Sequence, residues 1–253
     1  MKIYFEESML VYQNKILETL KDFSNTGTLI GNAGRNIIKF YNIEGIIVNF
    51  KSFKQHNIIN RHVYKFYRLS KARRSFEYAK LLLNHNFFTP KPIGYIENYD
   101  FIGLTSSYYI SEQLDNTRTL TEILSDISFQ DRVLVMQEYT RLIYRLHNIG
   151  IQFIDNSPGN FLIEWNDGKY KIYLVDLNRM NFYEKMEIDK RLKNFARFSN
   201  DSEIIKIIAQ EYALLSGTSS DYCYKVITTA VKRISIKRKI KKILKFYKYF
   251  INI

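Results

Sequence analysis

The chain has 253 residues, 46% hydrophobic and 25% charged, an ordinary globular balance with room for one large domain or two lobes sharing a cleft. Its formal charge of +13 implies an anionic partner, while the lone Cys223 and four scattered histidines exclude an internal disulfide and a cysteine-based zinc cluster. Met1-Lys2-Ile3-Tyr4-Phe5-Glu6-Glu7 has acids where a secretory signal needs an apolar run, and no uninterrupted apolar stretch approaches the roughly 20 residues of a bilayer span. The expectation is a cytoplasmic protein, soluble or peripheral at a surface.

In chain order, residues 5–22 read as helix and Ser24-Asn25-Thr26-Gly27 as a turn. Thr28–Ile30, Ile37–Phe40 and Gly45–Lys51 are short, β-branched and aromatic, and predict three antiparallel strands. From Asn60 to Asn84 the period turns helical, and Thr89-Pro90-Lys91-Pro92 stops it. Two strands follow at Ile93–Glu97 and Leu104–Ile110. After Leu114 the pattern becomes helical at Thr119–Ser125 and Asp131–His147, where Val135, Leu142, Ile143 and Leu146 form an apolar stripe. This predicts an α+β chain with a sheet-rich lobe over 1–114 and a mainly helical lobe over 115–253. The tail from Val231 mixes Ile, Leu and Phe with many cations, as a surface-seeking amphipathic helix does; a bundle-packing helix with a basic outer face would read the same way.

The most informative stretch runs from Leu146-His147 through Asp155-Asn156-Ser157-Pro158-Gly159-Asn160 to the apolar strand Ile172–Val175 and Asp176. An isolated Asp and Asn are ordinary turn residues; here a second acid closes the next strand, which gives them a shared purpose. Phosphoryl transfer asks a protein to position groups and neutralise charge. Asp155 suits a catalytic base that orients an acceptor hydroxyl, and Asn160 and Asp176 offer hard oxygen ligands to a divalent metal.

Upstream, Lys51 at the end of a strand suits a phosphate-holding cation, with Lys54 as its rival. Glu77, in the following helix, suits the acid that orients it, although Arg73 or Arg74 would also pair with it. Gly31, Gly34 and Arg35 are candidates for cofactor binding at the phosphates, where a plain hairpin would use the same glycines. Glu112 and Leu114, where the last strand ends, complete the candidate cofactor-binding set with Lys51.

These residues in this order resemble the protein-kinase-like fold and, within it, the bacterial lipopolysaccharide core sugar kinases, the Kdo and heptose kinases. Agreement is densest with the Bacteroidetes-type version, through Gly34-Arg35-Asn36, Lys51-Ser52-Phe53-Lys54, Asn60-Arg61, Ser70–Glu77, Thr89–Gly94 and Asp155–Asn160. The resemblance implies ATP as donor, Mg²⁺, two lobes, and a sugar hydroxyl of the anionic inner-core glycolipid as acceptor. Gln152-Phe153-Ile154 stands where protein kinases carry a His-Arg pair before the catalytic acid, and Asp176-Leu177-Asn178 replaces Asp-Phe-Gly. No Ala-Pro-Glu segment follows, which argues against a peptide acceptor. Competing readings are a small-molecule or protein kinase of the same fold, and a non-catalytic basic binder of membrane or nucleic acid. No nucleic-acid motif supports the last.

Overall fold

Short β-branched and aromatic runs separated by turns build one antiparallel sheet in the first part of the chain. Its elements are β1 (Lys2–Phe5), a 3-10 turn (Glu7–Tyr12), α1 (Gln13–Lys21), β2 (Thr28–Leu29), β3 (Asn36–Ile43), β4 (Ile46–Phe53), α2 (Ile58–Phe66), α3 (Lys71–Asn84), β5 (Pro92–Tyr99) and β6 (Leu104–Glu112). The computed structural model describes residues 1–31, 36–53 and 57–251. Among them the sheet runs β1-β5-β6-β4-β3-β2, each pair antiparallel.

Strand alternation sorts its two faces. Phe5, Gly94, Ile110 and Phe50 lie opposite one another across four strands, and all but the glycine join a core with Ile16 of α1, Val48 and Ile96. Gly94 is required there, because a Cβ would sit 2.3 Å from the Tyr4 carbonyl oxygen. The next row, Tyr4, Tyr95, Tyr109 and Lys51, faces the other way. Helix α3 covers that face: the Phe76 ring meets Tyr4 at 5.0 Å and Tyr95 at 5.5 Å.

Two expectations are corrected here. The helical reading of 5–22 missed β1, a four-residue strand that pairs with β5 and is too short to declare a period. The helix expected over 60–84 is two helices, interrupted before Ser70, whose Oγ caps α3 by accepting from Arg73 N at 3.0 Å.

The remaining elements are β7 (Arg118–Thr119), α4 (Leu120–Ser125), α5 (Arg132–Asn148), β8 (Ile151–Phe153), β9 (Phe161–Asn166), β10 (Lys169–Leu174), β11 (Met180–Phe182), α6 (Ile188–Lys193), α7 (Ser202–Ser216) and α8 (Ser220–Ile251). Thr119 and Glu122 form a reciprocal capping box at α4. The stripe Val135, Tyr139, Leu142, Ile143 and Leu146 of α5 is buried, as are Ile205, Ile208 and Tyr212 of α7. Strand β8 pairs with β11, and Gly150 precedes it at φ +75° where a Cβ would lie 1.8 Å from the Tyr183 carbonyl oxygen.

The chain divides into two compact units, Met1–Thr117 with Tyr173–Arg179, and Arg118–Ile172 with Met180–Ile253. The expected division fell after residue 114 and left Asp176 with the second lobe; the segment bearing Asp176 belongs to the first unit. Two hydrogen bonds tie it there: Leu174 N donates to Phe88 O at 2.9 Å, and the Thr89 hydroxyl Oγ1 donates to Leu174 O at 2.8 Å. Among the described residues no helix is long and apolar enough to cross a membrane.

Candidate active site

In the first unit, β4 presents Lys51 on the α3-covered face of the sheet, mostly buried, with Nζ 2.5 Å from Asp176 Oδ1. Asp176 has φ +59°, a left-handed conformation unusual for a residue with a Cβ, and needs support from its surroundings. Asn178 supplies it: its buried side chain donates from Nδ2 to the same Oδ1 at 2.6 Å. Oδ2 of Asp176 takes no hydrogen bond from the described residues.

Glu77 does not meet Lys51 in this structure. It accepts from Arg73 Nε at 2.7 Å, one turn back on α3, the spacing at which helix side chains become neighbours. Lys51 has Asp176 as its counter-charge instead. Gly31 has φ +68° with open space around its Cβ position, so that backbone is accessible. Gly34, Arg35 and Lys54 lie outside the described residues. Glu112 ends β6, exposed, its N–H donating to Lys91 O at 2.9 Å, and Leu114 is partly buried with its carbonyl accepting from Gln113 Nε2.

In the second unit, β8 delivers the chain into a tight turn beginning at Asp155. The Asp155 carbonyl accepts from Ser157 N at 2.8 Å and from Asn160 Nδ2 at 2.7 Å, which ties both candidate side chains to one turn. With Nδ2 so engaged, Asn160 Oδ1 remains as an acceptor. Asp155 Oδ1 lies 3.4 Å from Arg197 Nη1, a cation that sequence reasoning did not single out.

Beneath this turn is a buried polar network that sequence reasoning also missed. Tyr139 OH donates to Asn156 Oδ1 at 2.7 Å, Asn156 Nδ2 to Asn194 O at 3.2 Å, and Asn194 Nδ2 to Phe153 O at 2.8 Å. Asn194 Oδ1 must then accept, so His147 Nε2 carries the hydrogen at 3.0 Å and Nδ1 accepts from Tyr212 OH at 3.0 Å. Burial drives the His147 pKa down to about 4, which keeps the ring neutral. The signal was present as Leu146-His147 and Asn156, but what these side chains bond to is set by tertiary structure.

A depressed histidine pKa makes folding pH-dependent in one direction. The stabilisation is fully present above the ordinary histidine value near 6.5 and is lost as pH falls toward 4, by about 3 kcal/mol in total. Denaturant unfolding of the parent and of His147→Gln across this window should give curves that diverge above pH 6 and converge in acid. Parallel curves would remove His147 as the source.

Comparison with known proteins bears on these groups. The family model described as the lipopolysaccharide kinase (Kdo/WaaP) family matches residues 36–217. The 3-deoxy-D-manno-octulosonic acid kinase of Pasteurella multocida is 28% identical over 126 residues, 48% of this chain and 50% of that protein. Its namesake from Mannheimia succiniciproducens is 30% identical over 124 residues, with 48% and 50% covered. The chain thus spans about half the length of the curated relatives it matches. A solved structure of WaaP in complex with acyl carrier protein aligns with 96% of this chain and 99% of its own, at TM-score 0.63 and 15% identity, which speaks to the fold alone. The expected α+β, protein-kinase-like architecture holds. With most of its length under the family model, the chain belongs to the lipopolysaccharide kinase (Kdo/WaaP) family.

Proposed function

We propose that this protein is an ATP-dependent kinase that transfers the γ-phosphate to a sugar hydroxyl, Kdo or heptose, of the lipopolysaccharide inner core. The observation that carries the reading is the Lys51–Asp176 pair, 2.5 Å apart and braced by Asn178, within a chain of this family. The names of the two curated relatives favour Kdo as the sugar.

Each group then has a task. Lys51 neutralises phosphate oxygens of the nucleotide, and the open backbone at Gly31 approaches them. Glu112 and Leu114 border the nucleotide's base. Glu77 supports Lys51 once released from Arg73. Asp155 accepts the proton of the acceptor hydroxyl as its oxygen bonds to the γ-phosphorus and the bond to the ADP oxygen breaks.

Among the described residues no group of three or more His, Cys, Asp or Glu could hold a metal. Mg²⁺ needs less, since one or two protein oxygens and the substrate phosphates suffice. Each of Asp176 Oδ2 and Asn160 Oδ1 is an oxygen of that kind and by its chemistry fits the ion; a bound Mg²⁺ would neutralise charge on the transferring phosphate.

Mass spectrometry of the core glycolipid from cells lacking this chain tests the proposal. One phosphate should vanish from an inner-core sugar and return when the parent chain, but not Asp155→Asn, is restored. A glycolipid unaltered by the deletion would refute the acceptor assignment.

A further inference from the structure

Helix α8 begins as a packing helix and ends as something else. Cys223, Ile227 and Ala230 are buried in the second unit, whereas from Lys232 to Leu244 every residue but the half-buried Ile234 is exposed. Ile236, Ile240, Ile243 and Leu244 are each more than half exposed. At about 100° per residue these four fall on one face, a stripe along roughly 12 Å of helix that the other described residues leave largely uncovered. Lys232, Arg233, Lys237, Arg238, Lys239, Lys241 and Lys242 surround it, and the same span holds no acid.

We propose that this segment of α8 docks the protein on an anionic lipid bilayer, with the isoleucine stripe in the headgroup–acyl boundary and the cations on lipid phosphates. The pairing of stripe and charge selects this occupant. A second copy of the helix would bring its own cations against these with no acid to offset them. Nucleic acid would satisfy the cations and leave the aliphatic stripe wet. A bilayer with anionic headgroups satisfies both at once. The proposal goes beyond the phosphotransfer reading and stands without it.

Sedimentation of the full chain with phosphatidylcholine vesicles, with and without phosphatidylglycerol, provides the test. Binding should require phosphatidylglycerol and weaken as salt rises. The triple substitution I236S/I240S/I243S should lower partitioning tenfold or more, since three aliphatic side chains lose their burial. Because a triple change on a helix can unfold its end, the pair Lys237→Gln and Lys241→Gln serves as a second probe, with a loss of roughly fivefold per cation removed. Both variants should phosphorylate a soluble, delipidated core acceptor like the parent, which separates this proposal from the catalytic one. Failure of the parent to bind either vesicle, equal binding by parent and variants, or a self-associated form or an acidic-protein complex that occupies the stripe while vesicles do not, would overturn it.

Discussion

Replacing Asp155 by Asn should lower kcat for phosphate transfer about 10²- to 10⁴-fold, the range a positioned general base contributes. The substitution leaves the turn intact, because the bonds from Ser157 N and Asn160 Nδ2 go to the backbone carbonyl of residue 155 rather than to its carboxylate. Folding and Mg²⁺-nucleotide affinity should therefore match the parent, and the loss should appear in kcat with KM for ATP unchanged, the pattern of an interaction made only in the transition state. Steady-state kinetics with a core acceptor decide it. A kcat equal to the parent's would take Asp155 out of the chemistry.

Asp176→Asn should have a comparable effect on transfer, on the order of 10³-fold, by a different route. The amide keeps the size of the side chain but offers a metal no charge, so the Mg²⁺-dependent part of ATP affinity should vanish from calorimetric titrations. It also leaves Lys51, mostly buried, without its counter-charge at 2.5 Å. An uncompensated cation in such a place should reduce stability by about 1–3 kcal/mol, visible in denaturant unfolding. ATP binding that responds to Mg²⁺ as strongly as in the parent would contradict the metal assignment.

What could be read in the sequence follows from the range of the forces involved. Strands β3 to β6 and helices α3 and α5 bury a face or a stripe, so apolar period and turn residues declared them. Strand β1 escaped because four residues carry no period and its stability comes from β5, distant in sequence. The same distinction divides the site. Asp155 and Asn160 were legible as a pair because they share one local turn, and Lys51 and Asp176 because each follows an apolar run. The Glu77–Arg73 pair was legible as an alternative, being a local helix spacing, but which partner each charge takes depends on the competing acid at 176. Asn194 and Arg197 act through distances that no spacing encodes; they emerged only when tertiary structure put Asn194 under Phe153 O and Arg197 beside Asp155.

The central claim is that these side chains move a phosphate from ATP to an inner-core sugar. Incubating the full chain with γ-labelled ATP, Mg²⁺ and a lipid-linked core lacking that phosphate tests it most directly. The account predicts label on the sugar with the parent chain and a loss of about 10²-fold or more with Asp155→Asn. Label that never reaches the glycolipid, or reaches it equally with the variant, would contradict it.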